Sequence, residues 1–294
     1  MIRGSDVASD TYALVHAGHQ RRIERFGAYV LERPCAACFA TSAAPATDVD
    51  ARFNPEGPPG HRWSGANVPA DTWEVALEGL TFQLGLTDSG QVGLFPEQRD
   101  QWRWIAQRVS AQAGAPATGA ATARSVLNLF GHTGGSTLAA VSAGGSVVHV
   151  DASKAAIAWA RRNAALSGFP ESPVRWIVDD AQAFVRRELR RGHRYDGIVL
   201  DPPTYGHGAK GQPWRIEHDL PRLLADCSDL LVQRAGFLLV TTHTPGLEPD
   251  RLRQLVIDTV DAREGSREIG AGVLEIEPLQ GEPLRLGAFA RLTR

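Results

Sequence analysis

Three aspartates end short apolar runs: VHVD at Asp151, IVDDA at Asp180 and LDPPTY at Asp201. A fourth run, SVLNLF, opens into the glycine-rich stretch NLFGHTGGST, Asn128–Thr137. A carboxylate at a strand end can accept two hydrogen bonds from the vicinal hydroxyls of a ribose, and Asp151 follows Gly131 by twenty residues, a spacing suited to that task. Asp180, at the next tip, is placed to accept the exocyclic amine of an adenine. Asp201–Pro202–Pro203 makes a rigid polar turn beside the cradle. The glycine spacing excludes two tenants. A P-loop requires G-x-x-x-x-G-K-[ST], and no lysine stands in this loop; the dinucleotide fingerprint G-x-G-x-x-G does not match Gly131 followed by Gly134–Gly135. For the loop alone a tight turn without ligand is the plain alternative, and a lone aspartate at a strand end is more often a helix cap. Four tips along one edge point instead to an adenosyl group without phosphates.

These tips need a scaffold that brings them into line. From Arg124 onward strands alternate with helices: strands at Ser125–Phe130, Ser146–Val150, Val174–Val178, Asp196–Leu200 and Gly236–Thr241. Helices are expected at Gly135–Ala143, Lys154–Ser167 (capped by Ser153 and stopped by Gly168), Ala181–Arg191, Leu220–Gln233 and Asp250–Ala262. Val273–Pro278 and Ala288–Leu292 close the sheet as a final pair. Near-continuous apolar strands between helices specify an α/β fold whose mainly parallel sheet is covered on both faces, with an antiparallel last strand. Residues 1–112 read as a small β-rich domain, with strand-like runs at Tyr29–Leu31, Trp73–Leu77 and Thr81–Leu86 and a closing amphipathic helix, Glu97–Gln112. Residues 113–123, AGAPATGAATA, read as a linker, and 124–294 as the ligand-binding domain.

The bulk composition narrows the classes. The 294 residues are 43% hydrophobic and 22% charged, with a formal charge of -2, so no global basic field gathers nucleic acid. No apolar run approaches the ~20 residues of a membrane span. The start, MIRGSDVASD, lacks a signal-peptide pattern, and three cysteines suit a reducing compartment, so the expectation is a cytoplasmic protein. Cys35-x-x-Cys38 has no second half at zinc spacing, so packing is expected there and no metal. The run Arg186, Arg187, Arg190, Arg191 and Arg194 is read as a solvated helix face rather than an RNA contact.

The motifs NLFGHTGG, VDAS, DDA and DPP, in that order, resemble those of the class I S-adenosylmethionine-dependent methyltransferases, over about Arg124–Arg294. More narrowly, NLFGHTGGST, DPPTYGHG and the upstream GLFPEQRDQW are similar to the bacterial 23S rRNA methyltransferases of the cytosine-C5 and guanine-N7 branch. The resemblance implies a Rossmann-like catalytic domain, S-adenosyl-L-methionine as cofactor, S-adenosyl-L-homocysteine as product and an rRNA base as acceptor. Carried over residue by residue, it implies that Phe95, Gln98 and Arg99 lie near the methionine end of the cofactor. Asn128, Phe130, Gly131, Thr133, Gly134 and Gly135 would line it, Asp151, Ala152 and Ser153 would hold the ribose, and Asp180 and Ala181 the adenine. Asp201 through Tyr205 (Asp201, Pro202, Pro203, Thr204, Tyr205) would form the catalytic turn, with Asp201 also among the cofactor-binding residues.

In amino-methylating relatives the turn reads [DN]PP[YF], its aromatic stacking on the base. Here Thr204 holds the fourth position and the aromatic, Tyr205, comes one later, which argues against methylation of an adenine amine. Cytosine-C5 methylation needs a thiolate added to C6 first. The turns that supply it read DPPTY and VTTHTPG, with no cysteine, and Cys227 falls inside a helix. The covalent mechanism is therefore rejected, leaving a ring nitrogen, an amine or an oxygen as acceptor. His132 is read as a loop-shaping residue. His207, Lys210 and Trp214 sit on a glycine-flanked segment, read as a flap over the acceptor, where they either touch substrate or anchor the loop. The expected activity is direct in-line methyl transfer to an RNA base. The rivals are a small-molecule methyltransferase with the same cofactor site and a cofactor-binding protein without transfer activity.

Overall fold

A computed structural model describes residues 11–38, 48–110, 123–171, 173–208, 211–260 and 268–294. The chain forms two compact units, one of residues 1–99 and 275–286, the other of 100–274 and 287–294. The linker read at 113–123 lies, but for its last residue, outside the described residues. The break comes earlier than the change in composition. The helix Arg99–Ser110 (α1), assigned on sequence to the first domain, belongs from Asp100 to the second unit.

In the first unit, strands Tyr12–Gly18 (β1), Arg21–Phe26 (β2), Tyr29–Pro34 (β3), Ala51–Phe53 (β4) and Trp63–Ser64 (β5) form one sheet in that order. Trp73–Leu77 (β6) and Leu80–Leu84 (β7) form a separate antiparallel hairpin. Burial alternates strictly along β1, so Tyr12, Leu14, His16 and Gly18 face inward, as a half-buried strand requires. Between β1, β2 and β3 lies a buried charge cluster. Tyr12 Oη donates to Glu24 Oε1 at 3.0 Å and Arg33 Nε to Glu24 Oε2 at 2.9 Å, so the buried carboxylate is paired and hydrogen-bonded. Cys35 and Cys38 are buried free thiols on the turn after β3. The Cys38 thiol, hydrogen-bonded to Cys35, lowers the Cys35 pKa to about 7 and is itself pushed up. No metal-holding cluster of His, Cys, Asp or Glu occurs among the described residues.

The second unit is built on one seven-stranded sheet. In chain order its elements are Ser125–Leu129 (β8), Gly135–Ser142 (α2), Ser146–Asp151 (β9), Lys154–Leu166 (α3), Val174–Val178 (β10), Ala181–Arg190 (α4) and Gly197–Leu200 (β11). A short hairpin of Tyr205–His207 (β12) and Pro213–Arg215 (β13) follows. Then come Ile216–Leu230 (α5), Phe237–Thr242 (β14), Pro249–Val260 (α6), Glu268–Ile276 (β15) and Leu284–Thr293 (β16). The strand order is β10-β9-β8-β11-β14-β16-β15. The first five strands run parallel, and β16 lies antiparallel to β14, matching the expected topology. Every residue of β11 and β14 is buried, which is why GIVL and FLLV carry no alternation.

This order fixes where a ligand sits. The chain winds outward from β8 through β9 to β10, then returns to the other side of β8 with β11. The carboxyl ends of β8 and β11, paired in register from Leu127↔Ile198 to Leu129↔Leu200, flank that switch point. Crevices at such points are where open parallel sheets bind their ligands. NLFGHTGG follows one of these strands and DPPTY the other. Two boundaries differ from the sequence reading. Helix α5 starts at Ile216, not Leu220, because Pro221 sits inside its second turn rather than opening it, and Asp219 Oδ2 accepts the Arg215 N–H at 2.8 Å. The segment read as a flap is in part the β12–β13 hairpin, pairing Tyr205 with Arg215 and His207 with Pro213; Ala209 and Lys210 lie outside the described residues.

Candidate active site

The glycine loop turns by three residues in the left-handed region: Phe130 at φ 56, His132 at φ 44 and Gly134 at φ 95. Gly134 caps α2 and takes that conformation at no steric cost. Gly131 answers a different need. A Cβ there would lie 2.4 Å from the His149 ring, so only a glycine lets the loop cross β9 this closely. A Cβ on Gly135 would meet the Trp102 ring of α1 at 2.3 Å. Behind the loop, Asn128 Nδ2 donates to Thr137 Oγ1 at 2.9 Å, leaving the Thr137 hydroxyl hydrogen for His149 Nδ1 at 2.8 Å. Burial, with a smaller push from neighbouring His132, drives the His149 pKa down to about 3, net of a partial offset from the approach to the His132 backbone. The ring is therefore neutral and serves as a wedge. Asn163 Nδ2 donates to the Thr133 carbonyl at 2.8 Å, tying the loop to α3.

The first two aspartates hold their own turns as well as facing the crevice. Asp151 Oδ2 accepts the His132 N–H at 2.9 Å and Oδ1 the Ser153 N–H at 2.8 Å. One carboxylate thus fixes the glycine loop and the Ala152–Ser153 bend, each oxygen keeping a second lone pair. Ser153 caps α3 by accepting from Ala156 N at 3.2 Å. Asp180 caps α4, its Oδ1 accepting from Ala183 N at 2.8 Å, with Ala181 the first residue of the helix. Its other oxygen is overlaid by the hairpin, since a Cβ on Gly208 would lie 2.5 Å from Asp180 Oδ2. The helix cap thus uses Oδ1, and Oδ2 lies beneath the hairpin.

At the fourth tip Thr241 Oγ1 of β14 donates to Asp201 Oδ1 at 2.7 Å, and Thr204 and Thr244 share a hydroxyl contact at 2.8 Å. Pro202 is buried; Pro203 and Tyr205 are exposed, Tyr205 at 68%. Trp214, on β13, is buried and joins the two halves of the crevice. Its indole N–H donates to the Pro203 carbonyl at 2.7 Å, and its ring lies 5.1 Å from Phe130 of the glycine loop. The anchoring reading of Trp214 accounts for both contacts. Trp214→Phe keeps a ring against Phe130 but removes the donor, and is expected to lower unfolding free energy by about 1 kcal/mol in a denaturant titration. The backbone of His207 lies in β12.

Phe95, Gln98 and Arg99 belong to the first unit. Pro96–Gln98 forms one 3-10 turn after Phe95, Gln98 is buried, and Arg99 Nε donates to Glu78 Oε1 at 3.0 Å. Sequence reasoning missed His243, which follows β14; its Nδ1 stands 3.9 Å from Asp201 Oδ1. The signal was present in VTTHTPG, a polar turn after the fifth parallel strand, searched only for a thiol.

Three carboxylates on neighbouring tips would repel a phosphate and favour a neutral adenosyl group bearing a cationic sulfonium. The residues present thus fit S-adenosylmethionine. The family model for S-adenosylmethionine-dependent methyltransferases matches residues 24–266. The chain belongs to that family. A solved methyltransferase of this kind from Agrobacterium tumefaciens is 34% identical, with a TM-score of 0.88 over 100% of this chain and 93% of that one. Among curated relatives, ribosomal RNA large subunit methyltransferase I of Aeromonas salmonicida is 30% identical over 139 residues, 47% of this chain and 32% of its own. Ribosomal RNA large subunit methyltransferase K/L of Pseudoalteromonas atlantica is 29% identical over 205 residues, 69% of this methyltransferase and 25% of the relative. The methyltransferase thus spans about a quarter to a third of the length of these curated relatives.

Proposed function

We propose that this methyltransferase transfers a methyl group directly to a base of RNA, with ribosomal RNA as the substrate class, and uses no cysteine nucleophile. The observation that carries the mechanism is the chemistry of the two turns beside the switch point. DPPTY and THTPG offer carboxylate, hydroxyl and imidazole groups and no thiol. Cys227 is fully buried in α5, and burial pushes its pKa up, so its thiolate is disfavoured where it sits. The names of the curated relatives support RNA as acceptor, and an RNA acceptor suits a cytoplasmic protein. No helix among the described residues is long and apolar enough to cross a membrane.

When bound, S-adenosylmethionine supplies an activated methyl group on a sulfonium. The protein's part is alignment and exclusion of water, worth up to ~7–11 kcal/mol for well-oriented reactants. In this reading Asn128, Phe130, Gly131, Thr133, Gly134 and Gly135 form the cradle. Asp151, with Ala152 and Ser153, receives the ribose hydroxyls, and Asp180, beside Ala181, receives the adenine amine. Asp201, Pro202, Pro203 and Thr204 orient the acceptor, and Tyr205, exposed on the hairpin, stacks on it. Lys210 and His207 are read as acceptor contacts, with Trp214 as the anchor of the hairpin.

The formal charge of -2 favours a second reading, a small-molecule acceptor. Incubation with labelled S-adenosylmethionine and RNA from a strain lacking the gene, across a salt series, separates the two. Transfer to RNA should fall steeply between 50 and 200 mM salt, about tenfold or more if several phosphates are contacted. Label that appears only in metabolites, with a flat salt response, would sink the RNA reading. Tight cofactor binding with no label in either fraction would leave only a binding protein.

A further inference from the structure

We infer that His243 is the proton acceptor of the methyl-transfer reaction, with Asp201 orienting its ring. This rests on the methyltransferase reading of the crevice. After β14 the chain reads Thr241, Thr242, His243, Thr244. The three threonines are buried, at 2%, 0% and 8% exposure, whereas the His243 side chain is 36% exposed. A packing histidine would lie among the threonines; this one stands out of the row at the carboxyl end of a central strand. The turn that presents it is tied down. Thr244 N donates to Thr242 Oγ1 at 3.1 Å, and Thr244 Oγ1 meets Thr204 of the DPPT turn. Thr241 Oγ1 meanwhile holds Asp201 Oδ1 at 2.7 Å, the same oxygen that His243 Nδ1 approaches to 3.9 Å.

That geometry assigns the ring atoms. Nδ1 is the ring nitrogen that the carboxylate approaches, at 3.9 Å, longer than a hydrogen bond; closing that gap would place the ring hydrogen on Nδ1 and make Nε2 the basic atom. His243 thus stands on the turn after the fifth parallel strand, which carries no thiol. A base there serves a different reaction. The acceptor's lone pair forms a bond to the methyl carbon, the carbon–sulfur bond breaks with its pair going to sulfur, and the acceptor's own proton passes to Nε2. Asp201 stabilises the imidazolium that results. The acceptor atom is therefore a nitrogen or oxygen that bears a hydrogen, such as a ring N–H, an exocyclic amine or a hydroxyl. Guanine N7, which loses no proton on methylation, does not need this device.

The test uses the full chain and two readouts. Ring signals of His243 followed by NMR across pH should show a lower pKa in Asp201→Asn than in wild type; an unchanged titration overturns the pairing. For transfer, His243→Gln and His243→Ala are compared with wild type using labelled S-adenosylmethionine and total RNA from a strain lacking the gene. Both variants should bind S-adenosylhomocysteine within twofold of wild type by calorimetry and lose about 100-fold in maximal rate, together with the acid limb of the pH–rate profile. Variants that transfer within threefold of wild type, with that limb intact, overturn the assignment. If wild type labels a metabolite fraction and not RNA, the RNA reading falls and the same comparison on that fraction decides His243.

Discussion

Asp151→Ala is expected to weaken S-adenosylmethionine binding by about 1–3 kcal/mol, a loss of roughly 5- to 150-fold in affinity read by calorimetry. The effect has two sources that a pair of variants separates. In the protein without cofactor the carboxylate accepts the N–H groups of His132 and Ser153, so it shapes both turns that border the ribose position. With cofactor it receives the ribose hydroxyls through its remaining lone pairs. Alanine removes both roles, whereas Asp151→Asn keeps one acceptor oxygen and the side chain's size. If ribose recognition dominates, Asn recovers less than half of the lost binding energy, because its amide offers a donor where a hydroxyl hydrogen points. Thermal unfolding without cofactor gives the structural part alone. Unchanged affinity in Asp151→Ala would remove the ribose from this tip and with it the proposed placement of the adenosyl group.

The parts of the fold that were legible are those whose physics is local. SVVHV, GIVL and FLLV read as buried parallel strands because both faces are covered, and each ends where an aspartate or threonine meets the crevice. Ser153 was readable as a cap because a serine before a helical run has few other tasks. Illegible features depend on contacts far along the chain. Helix α1 looked like the end of the first domain, but Trp102 of α1 packs on Gly135, and Trp104 meets Phe237 at 5.5 Å, so it joins the second unit. The segment between β15 and β16 goes the other way: Leu279 N donates to Leu14 O at 2.8 Å, across most of the sequence. The YALVHAG alternation of β1 was available and unused. The β12–β13 hairpin was hidden by the glycines of GHGAKG, which suggest loop, and only Trp214 seated against Phe130 and Pro203 explains why the flanks pair. At the site the same division holds. Strand-tip aspartates announce themselves by position, while His243 matters only because β14 lies beside β11 and brings it to Asp201.

The second large effect is a loss of stability in acid that traces to His149. Its pKa is about 3 in the folded protein against an ordinary 6.5, chiefly because the ring is buried. The unfolded chain binds a proton there below pH 6.5 and the folded protein does not, so this contribution is complete above about pH 6.5 and is lost progressively as pH falls toward 3. The gap between those values sets a ceiling of roughly 5 kcal/mol at about 1.4 kcal/mol per pH unit. His132, whose pKa burial also lowers, adds to the loss in the same direction. His149→Gln retains an acceptor for the Thr137 hydroxyl but does not titrate. Its unfolding free energy should therefore fall less steeply than that of wild type between pH 6 and 4 in parallel urea titrations, by about 1 kcal/mol or more across that interval. Parallel curves would show that His149 carries no share of the acid sensitivity. The consequence reaches the cradle, because the ring that must stay neutral is the one against which Gly131 turns. Protonating it would charge the wedge behind the loop and break its acceptance from Thr137. Cofactor affinity should accordingly decline in the same acid window before the protein unfolds, and the decline should be shallower in His149→Gln.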